Sequence, residues 1–210
     1  MAYRLLSEAW DMNDRFIIES FWQRGANCAA VAFIKALLCR YGLRAGLRVM
    51  QMATGKKIIV PGGVTMLLSE REIDHINKKN QISFRRFTAA TTAKKQQAVR
   101  RTVKMIFAVL VYAMETKGMS RAKALHVLTR EGTGTMSLHR WLGIHGTPVR
   151  RVTKTSLNRI RKMKAVLLYN AGHIIVASAG YYDNNGHAEK LNGEIPMLLG
   201  EPASHWKRVI

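Results

Sequence analysis

Apolar residues cover nearly every face of one segment, Cys28–Tyr41, whose spacing predicts a helix. Val31, Ile34 and Leu38 recur at intervals of three and four residues, and alanine, phenylalanine and leucine fill most of the remaining positions. A helix that is apolar nearly all round lies inside a domain. Gly42 is expected to end it, because glycine readily takes the left-handed conformation at a helix terminus. We therefore expect a central, buried helix.

Three further helices are predicted downstream. Ser69 and Glu72 form a capping-box pattern at the start of one, which should run to about Lys79. A second shows apolar residues spaced by three or four and ends near Gly118; these residues are Val99, Val103, Ile106, Leu110 and Met114. Ser120 is expected to cap the third.

Strand patterns are concentrated near the C-terminus. Ala165–Tyr169 and His173–Tyr182 are predicted to be consecutive strands, and the second is apolar on both faces, as in a covered sheet. The sequence Asp-Asn-Asn-Gly at 183–186 predicts a hairpin turn. We expect one domain over residues 1–210, with a mainly helical half at 1–135 and a sheet-rich half at 150–210.

The start of the central helix has the features of a reactive thiol site. Asn27 is a favourable N-cap residue, and Gly25 permits a tight turn before it. Cys28 then lies in the first turn, where unpaired N–H groups and the positive end of the helix dipole favour a thiolate. Gln23, just upstream, carries an amide that can be aimed at the same place. Cys39 is mid-helix and is expected to be an inert core residue.

The segment Gln23-Arg-Gly-Ala-Asn-Cys28, opening a buried helix, resembles the N-terminal half of papain-like cysteine peptidases. The segment Gly172-His173-Ile-Ile-Val-Ala-Ser-Ala-Gly180 resembles the strand around their catalytic histidine, and bacteriocin-processing-type peptidases carry a similar one. The two islands span roughly residues 22–42 and 165–186 and occur in the order that the family requires.

The resemblance implies an α+β papain-like fold, in which the Cys28 helix packs on a C-terminal antiparallel sheet bearing His173. It also implies a cysteine protease or amidase in which Cys28 attacks a peptide or amide carbonyl, His173 transfers the proton and Gln23 helps to hold the oxyanion. No cofactor or metal is required. A hairpin turning at 184–185 would place the third member of the catalytic triad near Asn192, with Glu194 and Asp183 as the alternatives.

The net charge of +21, from 34 Lys+Arg against 13 Asp+Glu, is unusual. Such a balance favours association with nucleic acid or another anionic surface. Two basic runs without acidic residues, at 85–104 and 150–164, contain the residues expected to make these contacts: Arg100, Arg101, Arg159 and Arg161. A basic nucleic-acid-binding protein, in which Cys28 and His173 belong only to the core, is therefore one alternative function. A papain-like binding module without activity, and transfer or deamidation at a glutamine side chain, are others.

The cysteines and the apolar runs indicate a compartment. Cys28 and Cys39 are eleven residues apart on one predicted helix, about 16 Å along its axis, which is too far for a disulfide. No apolar run reaches the length of a membrane span, and the first residues lack a signal-peptide pattern. These features predict a cytoplasmic protein without a transmembrane segment, of the kind that also serves as a delivered effector, acting on a protein or peptide substrate.

Overall fold

The computed structural model describes residues 12–44, 46–60, 63–131, 138, 150–151, 158–169, 173–191 and 207–209. Its helices are α1 (Asp14–Ser20), α2 (Cys28–Tyr41), α3 (Glu70–Asn77), α4 (Ala90–Glu115) and α5 (Arg121–His126). A 3₁₀ turn, Gly42–Arg44, follows α2, and a π-helical turn, Val127–Glu131, follows α5.

The strands fall into three antiparallel sheets. The first five are β1 (Phe21–Gln23), β2 (Arg48–Met52), β3 (Gly55–Ile59), β4 (Thr65–Leu68) and β5 (Ile82–Phe84). The last six are β6 (Arg150–Arg151), β7 (Val166–Tyr169), β8 (Ile174–Ser178), β9 (Tyr181–Asn184), β10 (His187–Lys190) and β11 (Lys207–Val209). The largest sheet has the order β10-β9-β8-β7-β11-β6, while β2-β3-β4 and β1-β5 form small sheets. This mixture of helices and antiparallel strands is compatible with the predicted α+β class.

Helix α2 is the central element, as its apolar pattern predicted. It packs against β8 and β7 on one side and contacts α1 and α4 elsewhere. Every residue from Ala29 to Cys39 is buried. Gly42 follows the helix with a φ of 65° and donates its N–H to the Leu38 carbonyl, so the predicted stop is confirmed.

The large sheet is covered on both faces. Along β8, Ile174 and Val176 join the main core with α2, whereas Ile175 and Ala177 belong to a second apolar cluster on the opposite face. That cluster is completed by β7, β9 and neighbouring residues, including Tyr182. The apolar character of both faces of this strand, predicted from sequence, is confirmed.

The downstream helix signals are also confirmed. The Ser69 hydroxyl accepts the Glu72 N–H at 3.2 Å, and the Glu72 carboxylate accepts the Ser69 N–H at 2.9 Å. Helix α3 ends at Asn77, two residues before the expected end. The five apolar residues predicted to line α4 are all buried, and the Ser120 side chain caps α5.

The predicted strand His173–Tyr182 is too long, because β8 covers only Ile174–Ser178 of it. The chain turns at Ala179 and Gly180, whose φ values are 48° and 84°, and returns as β9 alongside β8. The turn expected near Asn185 is confirmed, but it joins β9 to β10. Tight two-residue turns usually need residues that readily adopt a positive φ. Gly180 is such a residue, but Ala179 is not, so the sequence did not indicate a turn here.

Several sequence expectations lie outside the described residues. These include Asn192 and Glu194, two of the three candidates for the third catalytic residue. The residues that are described contain no helix long and apolar enough to cross a bilayer.

Candidate active site at the start of the central helix

Cys28 is the first residue of α2 and is half-buried against the main core. Asn27 occupies the N-cap position, but its side chain makes no capping hydrogen bond. The helix hydrogen bonds begin with the Val31 N–H on the Asn27 carbonyl. The Asn27 side chain therefore leaves the N–H groups of the first turn uncapped beside the thiol, which is the setting that stabilises negative charge there.

Asn27 instead ties the helix start to a distant turn. Its Nδ2 donates to the carbonyl oxygens of Asn80 at 2.9 Å and of Gln81 at 3.0 Å, and the side chain is completely buried. Its Oδ1 is buried without a partner in the described part of the chain. Asn27 is thus at the predicted N-cap position, but its side chain does not cap the helix. It donates instead to the carbonyl groups of residues 80 and 81.

Gln23 lies at the end of β1, half-buried, with its Cα in register with Ile82 of β5. The loop to Cys28 is held by the Arg24 N–H, which donates to the Gln81 carbonyl at 2.9 Å. A Cβ on Gly25 would clash with the Gln81 side-chain oxygen, so this position leaves room for that side chain. Gln23 is on a paired strand, five residues before the first residue of the helix.

Two polar groups indicate how α2 lies along the sheet. The Ser178 hydroxyl at the end of β8 lies close enough to Cys39, near the end of the helix, to influence the pKa of its thiol. Nearer the middle, Lys35 Nζ lies 2.7 Å from Asp183 Oδ2 on β9. Continuing the β8–β9 register from the Ala177–Tyr182 pair places Asp183 opposite Val176. Helix and strand therefore run in the same direction.

This alignment predicts that Cys28 and His173 lie at the same end of the packed pair. From Cys39 back to Cys28 the helix rises about 16 Å at 1.5 Å per residue. From Ser178 back to His173 the strand covers about 16 Å at 3.3 Å per residue. Because the two lengths match, we expect the thiol-bearing end of α2 and the histidine-bearing end of β8 to lie at one level.

His173 immediately precedes β8 and is half-buried. Burial lowers the pKa of its imidazole below the usual 6.5, and the Asp183 carboxylate opposes that shift. The imidazole and Asp183 therefore interact electrostatically. Of the three residues considered for the third role, Asp183 is the one that the structure describes.

Asp183 is not in the turn, as the sequence suggested, but within β9 and buried. Its Oδ2 accepts from Lys35 Nζ at 2.7 Å, and its Oδ1 accepts the Gly186 N–H at 2.8 Å. The single-hairpin register from which Asn192 was expected is wrong, because β8 pairs with β7 and β9 and the 184–187 hairpin joins β9 to β10. Asn192 and Glu194 themselves lie outside the described residues.

Lys35 is the site residue that sequence reasoning missed. Its side chain is fully buried in α2, with Nζ 5.2 Å from the centroid of the Phe21 ring. Burial lowers the pKa of the ammonium, and the Asp183 carboxylate opposes this. The available signal was a single lysine within a helix that is otherwise apolar nearly all round, where a charge needs a partner.

A second buried polar group lies at the other end of α2. The Ser178 hydroxyl donates to Asp14 Oδ2 at 2.7 Å and accepts the Ala165 N–H at 2.8 Å. Burial, followed by the nearby Asp14 carboxylate, raises the pKa of the Cys39 thiol. This environment keeps Cys39 protonated and agrees with its expected inert role.

No family model matches the chain, and neither a curated protein nor a solved structure matches it significantly. Among the described residues, no group of three or more histidine, cysteine and acidic side chains is arranged to hold a metal ion.

Proposed function

We propose that the chain is a papain-like cysteine hydrolase that cleaves peptide or amide bonds. The observation that carries the proposal is the packing of α2 along β8, from which we infer that the helix start bearing Cys28 is level with His173. The uncapped first turn of α2 and the burial of Cys39 support Cys28 as the reactive thiol. The resemblance of residues 22–42 and 165–186 to that family adds to this argument.

The reaction would proceed in two stages. His173 takes the Cys28 proton, and the thiolate attacks the carbonyl carbon to form a tetrahedral oxyanion. The Cys28 N–H and the Gln23 amide donate to that oxyanion. His173 then protonates the leaving amine as the carbon–nitrogen bond breaks, leaving a thioester. Water, deprotonated by His173, hydrolyses the thioester and restores the thiol.

Asp183 would stabilise the imidazolium through its charge, with Lys35 and the Gly186 N–H holding its carboxylate in place. The proposal requires the His173 ring to turn toward α2. Strict alternation along β8 would direct it with Ile175 to the opposite face, but His173 precedes the first paired residue of the strand. The interaction with Asp183, whose carboxylate meets Lys35 of α2, supports the required orientation.

The first test measures the Cys28 thiol without needing a substrate. In a Cys39→Ser background, the rate of iodoacetamide alkylation is measured from pH 5 to 10. We expect the alkylation rate of Cys28 at neutral pH and below to fall at least about tenfold in His173→Ala, because an imidazolium partner stabilises the thiolate that reacts. His187→Ala, which removes an exposed histidine on β10, is the matched control. Identical profiles with and without His173 would refute the pair.

The second test measures turnover on a mixed peptide library, with products read by mass spectrometry. Cys28→Ala and His173→Ala should each abolish cleavage, while Cys39→Ser should keep it. Gln23→Ala should lower kcat on the order of 10²–10³-fold, as for loss of one oxyanion donor. Cleavage that survives Cys28→Ala would exclude this mechanism.

A further inference from the structure

A cavity of about 460 Å³ lies beside the Gln23–Cys28 loop and is independent of the hydrolase proposal. Strand β5, the segment after it and the start of α4 form most of its wall. It is lined by Arg24, Ile82, Ser83, Phe84, Arg85, Arg86, Phe87, Ala93, Gln96 and Arg100. Its volume is within the range of small-molecule sites in proteins.

The side chains that line the cavity carry positive charges and no negative charge. Four of its lining residues are arginines and none is acidic. Arg85 donates to the Gly186 carbonyl at 3.2 Å, and the Arg100 guanidinium lies 5.1 Å from the centre of the Phe84 ring. Within the described part of the chain, none of the four arginines forms an ion pair. Like charges gathered this closely repel one another unless an anion joins them.

Helix α4 adds a positive dipole and one further donor near the same wall. Its N-cap residue, Ala89, provides no side-chain hydrogen bond and its first turn contains no acidic residue, so nothing there offsets the positive end of the helix dipole. Ala93 is the residue of that turn that lines the cavity, and its N–H is bonded to the Ala89 carbonyl at 2.8 Å. Gln96, less than two turns from the helix start, has a buried Nε2 without a partner among the described residues.

Arginine forks bind phosphate oxygens bidentately, and several of them suit a ligand carrying more than one charge. The half-buried Phe87 ring, stacked on Phe16 with 5.3 Å between ring centres, and the Arg100 guanidinium over Phe84 are planar groups on which a base can stack. We propose that this cavity binds the phosphate groups of nucleotides, either free or within a single-stranded nucleic acid. One carboxylate side chain would leave most of the positive charge of the cavity unpaired.

The test measures binding of a 5′-labelled decathymidylate to the full chain by fluorescence anisotropy at several salt concentrations. The variant Arg24→Gln/Arg86→Gln/Arg100→Gln should bind at least about tenfold more weakly, and its slope of log affinity against log salt should be shallower by about 2. The matched control is Arg40→Gln/Arg48→Gln/Arg71→Gln, which removes the same charge from exposed positions outside the cavity. It should stay within about threefold of wild type. Equal losses in both variants would overturn the proposal.

A second variant, Gln96→Leu, tests the loss of one hydrogen-bond donor to the ligand without changing the net charge or destabilising the fold. It keeps every positive charge and removes a buried, unpartnered donor, so the melting temperature should not fall. We expect affinity to fall about tenfold, because a hydrogen bond to a charged oxygen is lost. Wild-type affinity in both Gln96→Leu and the triple arginine variant would show that the strand binds elsewhere.

Competition identifies the source of the phosphate. Displacement of the label by pyrophosphate or ATP would support a free nucleotide as the ligand, whereas displacement only by unlabelled strand would support a nucleic acid. Displacement by a decaglutamate peptide at the same concentration as the unlabelled strand would overturn the phosphate assignment in favour of general anion binding.

Discussion

Lys35 places a positive charge in the apolar core, and the ion pair with Asp183 stabilises that charge. Removing one partner of a buried ion pair leaves the other charge unpaired and costs about 3–5 kcal/mol. We therefore predict that Lys35→Met and Asp183→Asn will each lower the free energy of unfolding by about that amount. Urea denaturation followed by circular dichroism measures the change.

The exposed pair between Lys104 and Asp74, 3.0 Å apart, is the matched control for the buried one. Lys104→Met should cost less than about 1 kcal/mol, because solvent screens an exposed pair. The double variant Lys35→Met/Asp183→Asn should cost less than the two single changes added together. A loss for Lys35→Met as small as that for Lys104→Met would contradict the buried pair.

His173 should make the stability of the protein depend on acidity. Burial lowers its pKa in the folded state below the usual 6.5, so at pH values below about 6.5 the unfolded chain binds more protons than the folded one. The free energy of unfolding should therefore fall as the pH drops through this window. His173→Gln should flatten that slope between pH 7.5 and 5.5, measured from urea midpoints. A slope that survives in His173→Gln would refute the assignment.

At the scale of the elements, the β8–β9 turn tests the corrected hairpin directly. Ala179 adopts a φ of 48°, a conformation that costs an L-residue roughly 1–2 kcal/mol. Ala179→Gly should raise the free energy of unfolding by about 0.5–1 kcal/mol, since relief of this strain exceeds the added entropy of the unfolded glycine. Ala177→Gly, at a buried position within β8, should lower it instead. Destabilisation by both changes would place the turn elsewhere.

How far the elements could be predicted depended on whether their signals were local. Helix α2, the Ser69 capping box and the apolar face of α4 follow from residues a few positions apart, and the sequence predicted all of them. The small sheet β2-β3-β4 was largely missed, because many of its positions are exposed and its pairing is set by neighbours. The register around His173 failed for the same kind of reason, since an alanine at 179 concealed the turn.

The residues of the candidate site were likewise predictable only where their signals were local. Cys28 could be selected from its place at a helix start, and His173 from a glycine before an apolar strand. The partnership of Lys35 with Asp183 could not, because it joins positions 148 residues apart and depends on how α2 lies on the sheet. The lysine itself was visible as an exception to an apolar pattern, but its partner was not.

At the scale of the whole molecule, the net charge of +21 opposes the compact state through self-repulsion. Added salt screens that repulsion, with a screening length of about 10 Å at 0.1 M. We predict that the melting temperature will rise between 20 and 300 mM sodium chloride, measured by differential scanning fluorimetry. Sodium phosphate at equal ionic strength should raise it further if the arginine cavity binds that ion. A melting temperature that falls across this range would contradict the prediction.

The long sequence separation between α2 and its partners has a consequence during synthesis on the ribosome. Asp183 follows Lys35 by 148 residues, so at 5–20 residues per second it is added roughly 7–30 s later. Throughout that interval the nascent chain carries an apolar helix and an unpaired lysine before the strands that cover them have been made. Chaperones that shield apolar segments would have their longest contact with this protein at residues 28–41, and a translational pause before β8 would prolong it.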